Sequence, residues 1–247
     1  MFNWDNYLDS LETKKIGIIN VTNDSFSGDG IYVSKEKLIS KFEIAKKRNI
    51  KLLDVGCMST KPKFQIIDTN EESNRLDFFL ENISEDYDYS IDSFNPLVIR
   101  KAIDNGFLII NDVTGFKQDR LIKIAKEEEC GIIVMHKNPN SDYLHEKMNY
   151  KNIVKEVNSH IQMQVDNLID KGINEKQIAI DPGFGFGKTM EDSAELFLGL
   201  ENLINAYPVI VGYSKKKFTE LLKMTDNEME EFCLKSGVSM LRLHIDN

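Results

Sequence analysis

Short apolar runs alternate with helical segments along almost the whole chain, and this alternation restricts the possible folds more than any other feature. Eight runs rich in β-forming residues occupy positions 14–22, 51–56, 89–93, 108–113, 131–136, 177–183, 208–214 and 239–244. Segments between them, such as "SKEKLISKFEIAKKRN" and "QDRLIKIAKEEE", have a helical character. Strands that alternate with helices form parallel βαβ units, and eight such units in 247 residues indicate the α/β fold called the (β/α)₈ or TIM barrel. A doubly wound open sheet is the alternative.

The bulk composition excludes several classes of protein. The chain carries 31 Lys and Arg against 40 Asp and Glu, a net charge of -9, which disfavours nucleic-acid binding. Three cysteines without CxxC spacing fit a reduced compartment and no structural zinc site. Neither a signal peptide nor a stretch long enough to span a membrane is apparent. We therefore expect one cytoplasmic domain covering residues 1–247, with no membrane association.

A polar side chain stands near the carboxyl end of every predicted strand. These residues are Asn20, Asp54, Asp92, Asn111, His136, Asp181, Ser214 with Lys216, and Arg242 with His244. In a barrel of parallel strands these ends meet at one face, where active sites lie. The sequence therefore predicts a polar pocket at that face.

The early strands contribute mainly acceptor groups to this pocket. Asp54, Asp92, Asn111 and Asp181 would bring carboxylates and an amide together without a matching number of cations. Buried carboxylates need hydrogen-bond donors, so a ligand rich in N–H groups, such as a pterin or a guanidine-like heterocycle, would suit them. For Asp92 or Asp181 taken alone, a role as helix cap or turn residue is an equal alternative.

The late strands contribute cations. Period-two alternation sends Arg242 and His244 to the same side of their strand. Of the three lysines in "GYSKKKF", we expect only Lys216 to point inward. Together these groups would clamp a phosphate or pyrophosphate. Asn20, on the strand that neighbours the eighth in a closed barrel, would help to hold a Mg²⁺ ion that carries the pyrophosphate.

Two motifs invite interpretations that we set aside. "GFGFGKT" (183–189) resembles a nucleotide loop, but Pro182 stands where a Walker A motif needs glycine. A tight glycine-rich turn is the better interpretation. Cys57 lies near the pocket, but no histidine partner can be assigned to it, and we interpret it as a spectator thiol.

Eight collinear pieces between about residues 16 and 244 make the chain resemble dihydropteroate synthase. They are "NVTNDSFSGDG", "DVGCMSTKP", "SIDSF", "IINDVTGF", "VMH", "DPGFGFGKT", "GYSKKKF" and "LRLH". The resemblance implies a TIM barrel that joins 6-hydroxymethyl-7,8-dihydropterin pyrophosphate to p-aminobenzoate in folate synthesis. It implies Mg²⁺ as cofactor, release of pyrophosphate before the aniline nitrogen attacks, sensitivity to sulfonamides and a homodimer.

The resemblance also implies roles for individual residues. The catalytic group would be Asp92, Asp181 and Lys216, and the pterin-binding group these three with Asp54, Asn111 and Met135. Pyrophosphate would contact Asn20, Arg242 and His244, and Asn20 would be the metal ligand. The p-aminobenzoate loops, which would close over the pterin, would contribute Asp24, Ser25, Phe26, Ser59, Thr60, Lys61, Pro62 and Ser214.

The chain departs from the family pattern mainly in these loops. Asn23 stands in place of a proline, and Lys61 and Lys215 in place of arginines. Two alternatives therefore stay open: a pterin-binding homologue with reduced catalysis that regulates or assembles with another enzyme, and a pterin-binding methyltransferase domain.

The last strand is followed by only three residues, so we expect the eighth helix to be missing. We expect the amino-terminal segment to cover part of the resulting gap with apolar side chains. These are Phe2, Trp4, Tyr7, Leu8 and Leu11.

Overall fold

A computed structural model describes residues 1–22, 34–58, 68–203 and 206–245. Within them, eight strands form one sheet: Lys15–Asn20 (β1), Leu52–Gly56 (β2), Asp88–Asp92 (β3), Ile109–Asp112 (β4), Gly131–Met135 (β5), Ile178–Asp181 (β6), Ile210–Val211 (β7) and Met240–His244 (β8). Seven lie inside the predicted ranges, and β3 begins one residue earlier than predicted. The strands predicted from the alternation in the sequence therefore agree with the strands of the sheet.

The helices of the described ranges fill the intervals between the strands. They are Trp4–Asp9 (α1), Lys35–Lys47 (α2), Thr69–Leu80 (α3), Pro96–Asp104 (α4), Asp119–Glu127 (α5), Ile153–Asp170 (α6), Met190–Leu198 (α7), Thr219–Leu222 (α8) and Asp226–Lys235 (α9). Side-chain caps start several of them. Thr189 and Asp192 form a capping box at α7, and Asn95 caps α4 immediately before Pro96. Two helices, α8 and α9, lie between Lys216 and Arg242.

All strand pairs are parallel, and the sheet closes into a barrel. The strand order is β6-β5-β4-β3-β2-β1-β8-β7, and a parallel bridge between Ile180 and Val209 joins the two outer strands. This closure confirms the TIM barrel and rules out the open doubly wound sheet. The carboxyl ends of the eight strands consequently surround one face, which we call the top.

An apolar layer fills the barrel near the amino ends of the strands, which we call the bottom. It contains one inward-facing residue from each of seven strands together with Trp4: Ile16, Leu52, Ile109, Ile133, Ala179, Ile210 and Met240. A larger apolar layer lies between the strands and the surrounding helices. Because this layer fills the bottom of the barrel, a ligand reaches the interior of the described barrel from the top.

The amino-terminal segment closes the bottom of the barrel. Trp4 is 1% exposed, and its Nε1 donates to the carbonyl oxygens of Gln177 at 2.9 Å and Ile132 at 3.3 Å. Tyr7 donates from its hydroxyl to Asp88 Oδ2 at 3.0 Å. The expectation that this segment covers the gap left by the missing eighth helix is therefore wrong, because the segment closes the end of the barrel opposite the polar face.

Other groups lie along the outer side of β1 and β8. Ile245, the last residue described, is fully buried beside Gly17, and its carbonyl oxygen accepts a hydrogen bond from Lys41 Nζ at 2.7 Å. Lys15 and Glu230 form an ion pair at 2.8 Å between β1 and α9. Within the described ranges, β8 is followed by no helix.

No helix in the described part of the chain is long and apolar enough to cross a membrane.

Candidate active site

Strand register gathers the predicted polar residues at the top of the barrel. Asp54 is level with Ser90, Asp92 is level with Asn111, and Met135 is level with Asp181. Since alternate residues of a strand point the same way, Ser90 and Asp92 face the same interior. The prediction of one shared polar enclosure is met by the positions of these side chains.

Asp54 is the centre of the hydrogen-bond network at the top of the barrel. Its side chain, 1% exposed, accepts from Ser90 Oγ, from Arg242 Nε and, at 2.9 Å, from Asn111 Nδ2. A buried carboxylate is stable when its lone pairs are satisfied by donors. Asp54 is thus satisfied within the protein, and its bonds hold the side chains of Asn111 and Arg242.

Arg242 lies between two carboxylates. Besides its bond to Asp54, it donates from Nη2 to Oδ2 of Asp92. The sequence had placed Arg242 with the pyrophosphate and Asp92 with the pterin, as separate ends of the pocket. The structure joins the two ends directly, because the long arginine side chain reaches across the barrel from β8 to β3.

Asp92 retains one acceptor atom for a ligand. Its Oδ1 is buried and has no hydrogen-bond partner among the described residues. Burial raises the pKa of Asp92 to about 7, although Arg242 acts in the opposite direction. Such an atom, next to a pocket, is suited to accept an N–H from a bound heterocycle.

Asp181 and Lys216 face each other on the other side of the enclosure. Asp181 is 6% exposed, and its Oδ1 accepts from the backbone N–H of Gly183 at 2.7 Å. Burial raises the pKa of Asp181, and Lys216 counteracts that shift. Burial also lowers the pKa of Lys216 to about 8, while Asp181 acts to raise it. Asp181 therefore combines the turn role that was the alternative with a place in the site.

Lys216 is held by the turn that follows β6. Its Nζ donates to the carbonyl oxygen of Phe184 at 2.7 Å and lies 5.2 Å from the centre of the Phe186 ring. Lys215 and Lys217 are exposed. The expectation that only Lys216 of the three lysines points inward therefore agrees with the structure.

An apolar wall completes the enclosure. Met135 is 2% exposed and belongs to a small cluster at the top of the barrel with Val113, Leu144, Phe94 and Phe186. Flat aromatic and apolar side chains next to hydrogen-bonding groups suit a planar heterocycle. The sequence analysis named only Met135 from this wall.

The remaining predicted residues of the anion end lie on β1, β8 and the loop after β7. Asn20 ends β1, and His244 ends β8. Ser214 was assigned to the p-aminobenzoate side, but its Oγ lies 3.2 Å from His244 Nδ1 and accepts from the His244 backbone N–H at 3.3 Å. Ser214 and His244 are therefore joined by contacts of one hydroxyl group with both the backbone and the ring of the histidine.

Seven predicted p-aminobenzoate residues fall outside the described ranges. They are Asp24, Ser25, Phe26, Ser59, Thr60, Lys61 and Pro62. Their assignment stays a prediction. Cys57, just before the second of these stretches, is fully buried, and burial raises the pKa of its thiol, as befits a spectator.

Three features of the site were missed from the sequence. Ser90 stands two residues before Asp92 in "YSIDS", so period-two alternation could have revealed it. Phe186 and the Phe184 carbonyl belong to the glycine-rich turn, which was set aside when its nucleotide-loop interpretation failed. Their use depends on the fold of that turn, which a residue pattern does not convey.

Comparison with known proteins gives this geometry a family. The family described as pterin binding enzyme matches residues 16–244. The dihydropteroate synthase of Streptococcus pyogenes is 31% identical over 243 residues, with 93% of this chain and 89% of that protein covered.

Solved structures agree with this match. The dihydropteroate synthase of Xanthomonas albilineans with 4-aminobenzoic acid has a TM-score of 0.82 at 27% identity, covering 96% of this chain and 88% of its own. That of Burkholderia cenocepacia, complexed with 7,8-dihydropteroate, has a TM-score of 0.79 at 25% identity, covering 94% and 86% of the two chains.

Proposed function

The chain belongs to the family of pterin-binding enzymes, and we propose that it acts as a dihydropteroate synthase, a transferase of folate biosynthesis. Its substrates are 6-hydroxymethyl-7,8-dihydropterin pyrophosphate and p-aminobenzoate, and its products are 7,8-dihydropteroate and pyrophosphate. Support comes from relatives of that name that cover nearly the whole chain. The observation that carries the proposal is the Oδ1 of Asp92, which has no hydrogen-bond partner among the described residues and lies in a pocket with carboxylates and an apolar wall.

The pterin ring is bound by its donors and its flat faces. Its N–H groups donate to Asp92 Oδ1 and to Asp181, while Asn111, held by its Nδ2 on Asp54, offers its carbonyl oxygen. Met135 and Phe186 pack against the ring. This arrangement fixes the methylene carbon of the substrate toward the anion end.

Charge then favours departure of the leaving group. When the C–O bond of the substrate breaks, its electron pair stays with pyrophosphate and a cation develops on the pterin methylene. Asp92 and Asp181 stabilise this cation, and Arg242 and Lys216 stabilise the anion. The aniline nitrogen of p-aminobenzoate forms the new C–N bond and loses one proton.

The oxygen groups at the end of β1 suit Mg²⁺. A Cβ placed on Gly56 would lie 3.7 Å from Asn20 Oδ1, so this hard oxygen ligand lies next to bare backbone. Mg²⁺ takes few protein oxygens and completes its shell with water and phosphate. Asn20 would hold the ion, which would supply charge neutralisation of the pyrophosphate. In the described ranges, no group of three acidic, histidine or cysteine side chains offers an alternative metal site.

The location, partners and inhibitors of the enzyme are also part of the proposal. We infer one cytoplasmic domain, consistent with three free, buried cysteines. We also infer a homodimer without nucleic-acid or membrane partners, and inhibition by sulfonamides that compete with p-aminobenzoate.

Pyrophosphate release by purified protein tests the proposed function. We expect release that requires both p-aminobenzoate and Mg²⁺. Lys216→Ala should abolish it, whereas Lys217→Ala, the exposed neighbour, should leave it unchanged. Tight pterin binding without release would contradict the synthase and indicate the pterin-binding homologue.

A further inference from the structure

Lys188, in the glycine-rich turn after β6, is a buried lysine that the mechanism above does not use. It is 5% exposed, and the hydrogen bonds of its Nζ within the described part of the chain go to a histidine ring and to backbone carbonyl groups. A buried ammonium group is costly unless its hydrogens are satisfied. The partners of Lys188 therefore indicate why it is there.

Three acceptors lie within 3.1 Å of the Lys188 Nζ, and a fourth, the His136 carbonyl oxygen, lies at 3.5 Å. Its Nζ lies 2.8 Å from His136 Nδ1, 2.9 Å from the Gly183 carbonyl oxygen and 3.1 Å from the Phe186 carbonyl oxygen. An ammonium group has three hydrogens and no acceptor. With Lys188 protonated, His136 accepts at Nδ1 and carries its own proton on Nε2, 3.3 Å from His160 Nδ1. Lys188 thus ties both ends of the turn 183–186 to β5.

The turn held by Lys188 makes contact with the site at three successive points. Gly183 donates its N–H to Asp181, Phe184 accepts from Lys216, and the Phe186 ring lies beside Lys216. Gly183 has φ 67°, and a Cβ there would lie 2.0 Å from the His136 carbonyl oxygen. This close approach packs the turn tightly against His136, the residue that follows β5, where the Lys188 contacts also lie.

We propose that Lys188 is a positioning residue: it fixes the turn 183–186 and through it sets Asp181, Lys216 and Phe186 in place for the pterin ring. This inference rests on the proposed function. It differs from a general stabilising role because its effect is confined to the pterin side. The p-aminobenzoate substrate should be bound as well without Lys188 as with it.

Kinetics of three variants test the proposal. Lys188→Met keeps the length of the side chain and removes its donors, and Lys188→Arg keeps the donors. Lys137→Met is the matched control, because Lys137 is 3% exposed and donates to the carbonyl oxygens of Asn138 and Ser141 in a different loop. The quantities measured are kcat, the KM for each substrate and the melting temperature.

We expect Lys188→Met to raise the KM for the pterin pyrophosphate by about tenfold or more, the effect of losing hydrogen bonds to a charged group. The KM for p-aminobenzoate should stay within about twofold. Lys188→Arg should recover most of the loss, and Lys137→Met should lower the melting temperature without the same rise in KM. Equal effects of Lys188→Met and Lys137→Met on the pterin KM, or a lower melting temperature with unchanged KM, would overturn the proposal.

Two provisions keep the test decisive. If Lys188→Met does not fold, Lys188→Gln replaces it under the same two outcomes. If the wild-type protein shows no turnover, the proposed function fails. The positioning role is then tested by calorimetric titration with 7,8-dihydropteroate, where unchanged affinity in Lys188→Met would overturn it.

Discussion

Arg242 donates a hydrogen bond from Nη2 to Oδ2 of Asp92, across the top of the barrel from β8 to β3. The same guanidinium group donates from Nε to Asp54. An arginine held by two carboxylates has a fixed plane and a fixed set of remaining donors. The pterin side and the anion side of the site are therefore parts of one network, and a change on one side should be felt on the other.

Asp54→Asn tests this network. An amide has a single acceptor oxygen, so it cannot accept from Ser90, Asn111 and Arg242 together. We expect kcat/KM for the pterin substrate to fall by about 100-fold, as when a buried hydrogen-bonded charge is lost. Asp88→Asn, at the bottom of the barrel, is the control and should retain activity. Steady-state rates within threefold of wild type for Asp54→Asn would contradict the orienting role.

Asn20→Ala tests the position assigned to Mg²⁺. Removing the amide oxygen of Asn20, which lies next to Gly56, takes away one of the few protein ligands available to the ion. We expect half-maximal activity to require several-fold more Mg²⁺, with the KM for p-aminobenzoate unchanged. A magnesium titration that superimposes on that of the wild-type protein would place the ion elsewhere.

Trp4→Ala tests the plug at the bottom of the barrel. The side chain is 1% exposed and packs inside the apolar layer that closes this end. We expect the free energy of unfolding, measured with urea, to fall by about 3–5 kcal/mol. Leu97→Ala, at a position 69% exposed, should change it by less than about 0.5 kcal/mol. Deleting residues 2–12 should destabilise at least as much as Trp4→Ala, and a negligible loss in either would show that the plug is dispensable.

His136 makes stability depend on pH. Burial, with Lys188 and His160 nearby, lowers its pKa to about 2. Below about pH 6.5 the unfolded chain binds a proton at His136 and the folded protein does not. The free energy of unfolding therefore decreases by up to about 1.4 kcal/mol for each pH unit by which the pH is lowered. That loss extends down to the folded pKa.

Urea denaturation at several pH values measures this dependence. Between about pH 6 and pH 4 we expect the slope of unfolding free energy against pH to be smaller in His136→Gln than in the wild-type protein, by the equivalent of about one proton. Asp92 and Asp112, whose pKa values burial raises to about 7 and about 6, act in the opposite direction in both proteins. Parallel curves for wild type and His136→Gln would show that His136 is protonated in the folded state.

The sequence predicts the strands and the polar residues at their ends because both follow from local regularities. Asp54, Asp92, Asn111 and Asp181 were recognised from their place after apolar runs, and parallel register then brings them together. The hydrogen-bond partners of these side chains depend instead on how far a side chain extends across the barrel. The bond from Arg242 to Asp92 spans 150 positions in the sequence, and nothing local signals it.

The amino-terminal plug and the turn after β6 show the same limit. Apolar residues from Phe2 to Leu11 indicate a buried segment, but their spacing does not say which end or side of the barrel they cover. The role of Lys188 depends on three acceptors that only the folded turn brings around it. From the sequence, this lysine was only one residue of a glycine-rich turn to which no function was assigned.

A single turnover with protein in excess over the pterin pyrophosphate tests the account most directly, because it requires chemistry at this site but no product release. After mixing with p-aminobenzoate and Mg²⁺, quenching and chromatography should show nearly all of the pterin converted to 7,8-dihydropteroate. Asp92→Asn, folded to the same extent, should form none on that time scale. No 7,8-dihydropteroate from the wild-type protein, or equal amounts from both, would contradict the assignment of the reaction to this pocket.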